Sequence, residues 1–192
     1  MKQSNRTKLL LAAELKQIAK LKPFARITVS ELCQRCGVDR RTFYYHFRDV
    51  YDLSAWIFNQ TVDACMTERD GYYDAAELAL VMDAFCSDPD FYRRALAEDS
   101  QNSLGRHVLR HNVTMFEAAA RKIRGTEELS AEDRFDIRYH SCGSLFSIRR
   151  WLFSECRESP EEMARLLLHA APPIIKEIYR FEQEEKGARS NA

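Results

Sequence analysis

The chain has 192 residues and a mass of 22.4 kDa, with 45% apolar and 30% charged residues, 6 Gly and 5 Pro, which excludes collagen-like, Pro-rich and strongly disordered chains. Net charge is zero but segregated: residues 1–50 hold 11 Lys/Arg against 4 Asp/Glu, a net of +7, and the remaining residues hold 18 against 25, a net of −7. The longest apolar runs, such as 9–13 and 55–58, are too short for the ~18 residues of a membrane-spanning helix, and the basic start (Lys2, Arg6, Lys8) leads to Glu14 and Lys16 with no cleavage site, so a cytoplasmic protein with no membrane partner is expected.

Apolar residues recur at spacings of three and four throughout, as in Leu11, Leu15, Ile18, and nothing alternates with period two, so an all-α fold of about nine helices is predicted. In chain order these are 6–21, 28–35, 39–46, 49–71, 73–85, 89–98, 103–123, 132–157 and 160–182. Three starts carry capping-box patterns, Thr28 with Glu31, Ser130 with Asp133, and Ser159 with Glu162, and Asp88 before Pro89 is similar. Pro172 and Pro173 remove two backbone donors, so the last helix should kink or split there, and the polar residues 183–192 should fray.

Residues 28–47 read TVSELCQRCGVDRRTFYYHF, two short helices joined at Gly37, where a positive φ ends the first. This is a helix-turn-helix layout. Asp39 is placed to cap the second helix, and Val38, Phe43 and Phe47 to face a small core with Leu32 and the first helix. Arg40, Arg41 and Tyr44 remain on the outer face. Arginine at the start of a helix in the major groove is the commonest reader of guanine, through O6 and N7. Thr42 can touch a thymine methyl or a phosphate, Tyr45 and His46 backbone oxygens, and Thr28 another phosphate from a helix N-terminus.

This stretch resembles the TetR family of transcriptional regulators, whose helix, turn and recognition helix with T-F-Y-Y-H-F are met at 42–47 and followed by Asp49, Asp52 and Leu53. The resemblance covers roughly residues 6–58. It implies an all-α homodimer with an N-terminal DNA-binding domain at 1–48, extending on the family pattern to about 62, and an effector-binding and dimerisation domain at 49–192. Val50 stands where the family often has a phosphate-gripping lysine, and Arg48 is the available substitute. The expected partners are a double-stranded operator, pseudo-palindromic because two recognition helices sit one duplex turn apart in a two-fold protein, a second copy of the chain, and a small-molecule effector or a protein partner.

Residues 49–158 are rich in aromatic and soft side chains, Met66, Tyr72 and Tyr73 among them, most of which should be core. Trp56, Phe85, Phe91, His111, Met115, Tyr139 and Gly143 are candidates for an effector pocket, the glycine because mid-helix it implies close packing or room for a ligand. Phe146, Arg149, Trp151, Leu152, Met163, Leu166, Leu167, Ala170 and Ile174 of the last two helices are candidates for a helix-on-helix dimer surface. The segment Phe91-Tyr-Arg-Arg, with 101–104 and Tyr139, Gly143 and Trp151, is similar to the branch containing activators of dihydroxyacetone-kinase operons, which raises activation and protein-partner control as the alternative to ligand-responsive repression.

Other signals have bland readings. Cys33 and Cys36 have zinc-like spacing but no second pair, and should be small core hydrophobes. Cys65, Cys86, Cys142 and Cys156 are scattered over predicted helices, consistent with a reducing compartment. His107 and His111 share a helix face, with His140 or Cys142 as distant conceivable ligands, but nothing fixes a third ligand. No nucleophile with a base and no phosphate loop is found, so neither enzymatic activity nor a cofactor or metal is expected.

Overall fold

Ten α-helices and one 3-10 turn, with no strand, make up the described residues of the computed structural model, which are 2–66, 75–98 and 100–190, with side chains described for 5–65, 75–98 and 100–181. Tyr72, Tyr73, the side chain of Met66 and the expected helical residues 67–71, 73 and 74 lie outside them. The chain divides into two compact units, residues 1–60 with 88–107, and residues 61–87 with 108–192.

The first unit begins with α1 (Lys2–Leu21), which turns Leu11, Leu15 and Ile18 inward. A 3-10 turn (Phe24–Arg26) that the sequence does not signal follows, and then α2 (Val29–Cys36), capped by the Thr28 hydroxyl, which accepts the Glu31 N–H. Gly37, at φ 65°, ends α2. Asp39 then caps α3 (Arg40–His46) by accepting the Thr42 N–H at 2.6 Å. At the start of α4 (Val50–Met66), Asp49 accepts the Asp52 N–H while Asp52 accepts the Arg48 N–H, a reciprocal cap. Leu32, Phe43, Phe47 and Leu53 complete a dry core with α1, each buried side chain contributing about 1.5–3 kcal/mol. Val38 is only half-buried. Ion pairs of Arg35 with Glu14 and Lys22 with Glu31 trim the outside.

Residues 88–107 join this unit through α6 (Pro89–Ala97), whose start has the expected proline but no side-chain cap from Asp88. Asp88 instead pairs with Lys16 at 3.2 Å, and Phe91 lies edge-on to Phe24 with the Lys16 ammonium over its ring.

In the second unit, α5 (Ala75–Ser87) packs along α9 (Pro160–His169), and α8 (Ala131–Phe153) meets α10 (Pro173–Ser190). With α7 (Leu104–Arg124), α8 and α10 enclose a cluster that includes Phe116, Ala120, Ile137, Ile175 and Ile178. Ser130 and Ser159 cap α8 and α9 by accepting the Asp133 and Glu162 N–H, while those two carboxylates pair with Arg124 and Arg165. The double proline splits the expected 160–182 helix in two, and α10 then runs on to Ser190, so the expected fraying from 183 is not seen. Helix α8 stops at Phe153 rather than 157 because Glu155 and Cys156 take left-handed backbone angles, φ 61° and 51°, and the turn folds back until the Trp151 indole Nε1–H donates to the Glu158 carbonyl at 2.9 Å. Cys156 is bonded to Cys86, so these two are not the free thiols that their scatter along the sequence suggested. No helix among the described residues is long and apolar enough to cross a membrane.

Candidate nucleic-acid interface

Phe43 on α3 and Phe47 at its C-cap anchor the inner side of that helix and thereby fix which side chains face out. Arg40, Arg41, Tyr44 and Tyr45 are exposed, Tyr45 to 81%, and Thr42 is half-buried beside the Asp39 cap. Arg40 and Tyr44 form a pair on successive turns: Nη2 donates to the phenol oxygen at 3.4 Å and the guanidinium lies over the ring, 5.8 Å from its centre. That contact limits the rotamers of Arg40 while leaving donors for a ligand. Arg41 is exposed beside it.

His46 is half-buried, and burial, with Lys8 adding to it, holds its imidazole below the usual range, so at neutral pH the ring is an uncharged hydrogen-bonding group. Lys8 lies over the rings of Phe47 and Trp56, at 5.7 and 5.9 Å, and so belongs to this basic face. Only its share in the charge excess of residues 1–50 hinted at this. Thr28 is exposed with its hydroxyl engaged by Glu31 N–H, and Arg48 is exposed with a loose 3.5 Å contact to Asp52. Val50 is buried, so it is a packing residue and not a weakened phosphate contact.

The expected effector-pocket residues do not form one group. Trp56 and Phe91 pack within the first unit, against Phe47 and Phe24 respectively. In the second unit Phe85 is buried, Met115 packs against the core cluster, and His111 is half-buried with its pKa lowered by burial. Tyr139 and Gly143 are exposed on α8, Tyr139 to 71% and stacked on Phe135. A methyl group added at Gly143 would meet nothing within 4 Å, so this glycine serves no close packing inside the chain.

The expected dimer residues separate in the same way. Leu152 and Ile174 are core, and Trp151, Met163 and Leu167 are largely buried, because α8 and α9 spend those faces on their own unit. Phe146, Leu166 and Ala170 are exposed and Arg149 is half-buried. Between α8 and α9 lies an open groove of about 750 Å³ whose lining includes Tyr139, Gly143, Trp151, Met163, Leu166 and Ala170, so pocket and dimer candidates meet on one surface. Facing it, His140 is pushed down to about 4 by burial.

His107 is occupied by the Asn59 side-chain oxygen at 2.9 Å, and no cluster of three or more potential metal ligands occurs among the described residues. Cys33 is buried, and burial pushes the Cys36 thiol up to about 11, which suits packing better than thiol chemistry.

Residues 10–53, from α1 to the first turn of α4, match the family described as "Bacterial regulatory proteins, tetR family", and residues 78–172 match the family's "Transcriptional regulator C-terminal region". The chain belongs to the tetR family of bacterial regulatory proteins. This TetR-family transcriptional regulator is 27% identical over 100 residues to the "HTH-type dhaKLM operon transcriptional activator DhaS" of Lactococcus lactis subsp. lactis (strain IL1403), a match spanning 52% of this chain and 54% of DhaS, about half the length of that relative. Its fold is similar to a solved "Dihydroxyacetone kinase operon activator DhaS", with a TM-score of 0.60 at 20% identity over 92% of this chain and 98% of that one. A "tetR-family transcriptional regulator from Streptomyces coelicolor" gives 0.53 at 15% identity over 96% and 86%, and the "fatty acid degradation regulator FadR from Bacillus halodurans" 0.52 at 14% over 83% and 91%.

Proposed function

We propose that this TetR-family regulator binds a pseudo-palindromic operator as a homodimer, reading base edges with Arg40 and Arg41 and gripping phosphates with Thr28, Thr42, Tyr44, Tyr45, His46 and Arg48. The observation that carries the reading is the first turn of α3, where two arginines stand exposed on a helix whose opposite side is locked by Phe43 and Phe47. A rigid helix presenting forked donors suits paired acceptors on guanine. The second copy meets the chain across the groove of α8 and α9, which Phe135 and Tyr139 line, and over the exposed Phe146 and Phe153 elsewhere on α8, all of which would otherwise stay in water. Control comes from a small molecule that prefers one of the protein's conformations, since equal affinity for all of them shifts nothing, and repression is the resulting activity. Activation is the second reading, favoured by the likeness to DhaS, which is named as an activator.

The test is selection of fragmented host DNA by the purified protein at ~150 mM salt, with an Arg40→Ala, Arg41→Ala double variant as control. Enrichment of one two-fold site by the parent alone is expected, each arginine costing about 1–3 kcal/mol at its own base pair. Equal loss on all sequences would reassign the arginines to phosphate, and enrichment unaffected by the double variant would overturn the reading.

A further inference from the structure

Cys86 and Cys156 are 70 residues apart in sequence, yet the fold sets their Cα atoms 6.4 Å apart and joins their sulfurs. Cys86 lies in the last turn of α5, and Cys156 in the turn between α8 and α9, so the bond ties one helix end to a turn within the second unit. Both residues are half-buried, within reach of a small thiol or disulfide. A bacterial transcription regulator works beside DNA in a compartment that thiol buffers keep reduced, where disulfides are mostly transient and redox-sensing rather than structural.

The turn that carries Cys156 is demanding in its own right. Glu155 and Cys156 are consecutive non-glycine residues in left-handed conformation, which persists only where the surroundings hold it. The restraints are the disulfide, the Cys156 N–H donating to the Trp151 carbonyl at 3.0 Å, and the Trp151 indole donating to the Glu158 carbonyl. Trp151 of the last turn of α8, with Ser154, Arg157 and Glu158 of this same turn, forms one rim of the α8–α9 groove. Opening the disulfide removes a covalent restraint on that rim.

We propose that Cys86 and Cys156 are a reversible dithiol–disulfide pair, oxidised by a low-molecular-weight disulfide, whose closed form shapes the groove rim and tightens the homodimer. The coupling to dimerisation rests on the homodimer reading above. In the reaction one cysteine thiolate attacks a sulfur of the small disulfide and expels one small thiolate, leaving a mixed disulfide on the protein. The second cysteine thiolate then attacks the protein sulfur and expels the other. Two protein thiols lose two electrons and two protons, and the small disulfide leaves as two thiols. Excess small thiol reverses both steps. Cys33, Cys36 and Cys65 fit this role less well, since burial raises their thiol pKa, and Cys142 is joined to no second cysteine.

The test equilibrates the full-length protein in mixtures of glutathione and glutathione disulfide, blocks free thiols with iodoacetamide under native conditions, and reads the alkylation of each cysteine by peptide mass. Sedimentation velocity on the same samples reads the dimer, for the parent and for Cys86→Ser and Cys156→Ser variants. Cys86 and Cys156 should lose alkylation together as the mixture becomes oxidising, and the oxidised parent should dimerise about tenfold more tightly than the reduced one because its interface is preorganised. Both variants should keep the reduced value in every buffer. A bond that resists all glutathione mixtures, or two thiols that stay alkylated in all of them, overturns the reversible pair, and the parent alone decides this even where a variant fails to fold. Equal dimer affinity in both states overturns the coupling. A protein monomeric in both states overturns the homodimer reading and the coupling with it, while the alkylation pattern still decides the thiol pair.

Discussion

A neutral imidazole packed edge-on against Phe116 makes His140 sensitive to acid. Burial holds its pKa near 4 in the folded chain, against about 6.5 when unfolded. Between those values the unfolded chain binds a proton that the folded chain refuses, so stability is fully present above pH 6.5 and falls as pH drops toward 4. At pH 5 the loss from this one group should be about 2 kcal/mol relative to pH 7.5. His111 is shifted in the same direction by the same cause and adds to the slope. Urea unfolding of the parent and of His140→Gln, at both pH values and one protein concentration, separates this contribution. The variant should lose less stability on acidification than the parent, and equal losses would mean that His140 titrates normally.

Among the elements, two glycines respond to one substitution with opposite sign. Gly37 ends α2 at φ 65°, and although a Cβ there would meet nothing, Ala must adopt a left-handed conformation, so Gly37→Ala should destabilise the first unit by about 1–2 kcal/mol. Gly143 lies inside α8 with open space beyond it, so Gly143→Ala should stabilise the helix by up to about 1 kcal/mol while weakening a dimer whose partner approaches there. Denaturant unfolding and sedimentation of both variants check the pair, and a dimer unaffected by Gly143→Ala would move the interface off this part of α8. The first glycine was legible in the sequence because the turn it serves is local, as were the caps at Thr28, Ser130 and Ser159 and the break at Pro172 and Pro173. Gly143 was not, because its meaning depends on which side of α8 is spent on Ile137, Ile148 and Leu152. The bond between Cys86 and Cys156 was hidden because it joins residues 70 apart in sequence, and the early end of α8 because neither Glu155 nor Cys156 is a residue type that announces a left-handed turn. The α3 side chains fared better, since a seven-residue helix held inward by Phe43 and by Phe47 at its C-cap has only one outward face to offer.

For the whole molecule, the charges sum to zero, 29 basic against 29 acidic residues, but the excess of basic residues lies in the first 50 and the excess of acidic residues in the rest. Zero net charge removes the mutual repulsion that keeps proteins apart in solution, and segregation adds attraction between the basic portion of one molecule and the acidic portion of another. DNA phosphates compete for the same basic portion, so self-association and operator binding are alternatives. Both are electrostatic and weaken as the screening length falls from about 30 Å at 0.01 M salt to about 8 Å at 0.15 M. At pH 7 without DNA, light scattering should therefore report assemblies larger than a dimer at 10 mM NaCl that dissolve as salt is raised to 150 mM. A short operator duplex added at low salt should disperse them as well, by occupying the basic surface. Scattering that grew with salt would instead point to exposed apolar side chains, the aromatic ones of α8 among them, as the adhesive surface, because apolar association is not screened. In that case the segregated charge would govern DNA binding alone, and the apolar face would set the protein's behaviour in solution.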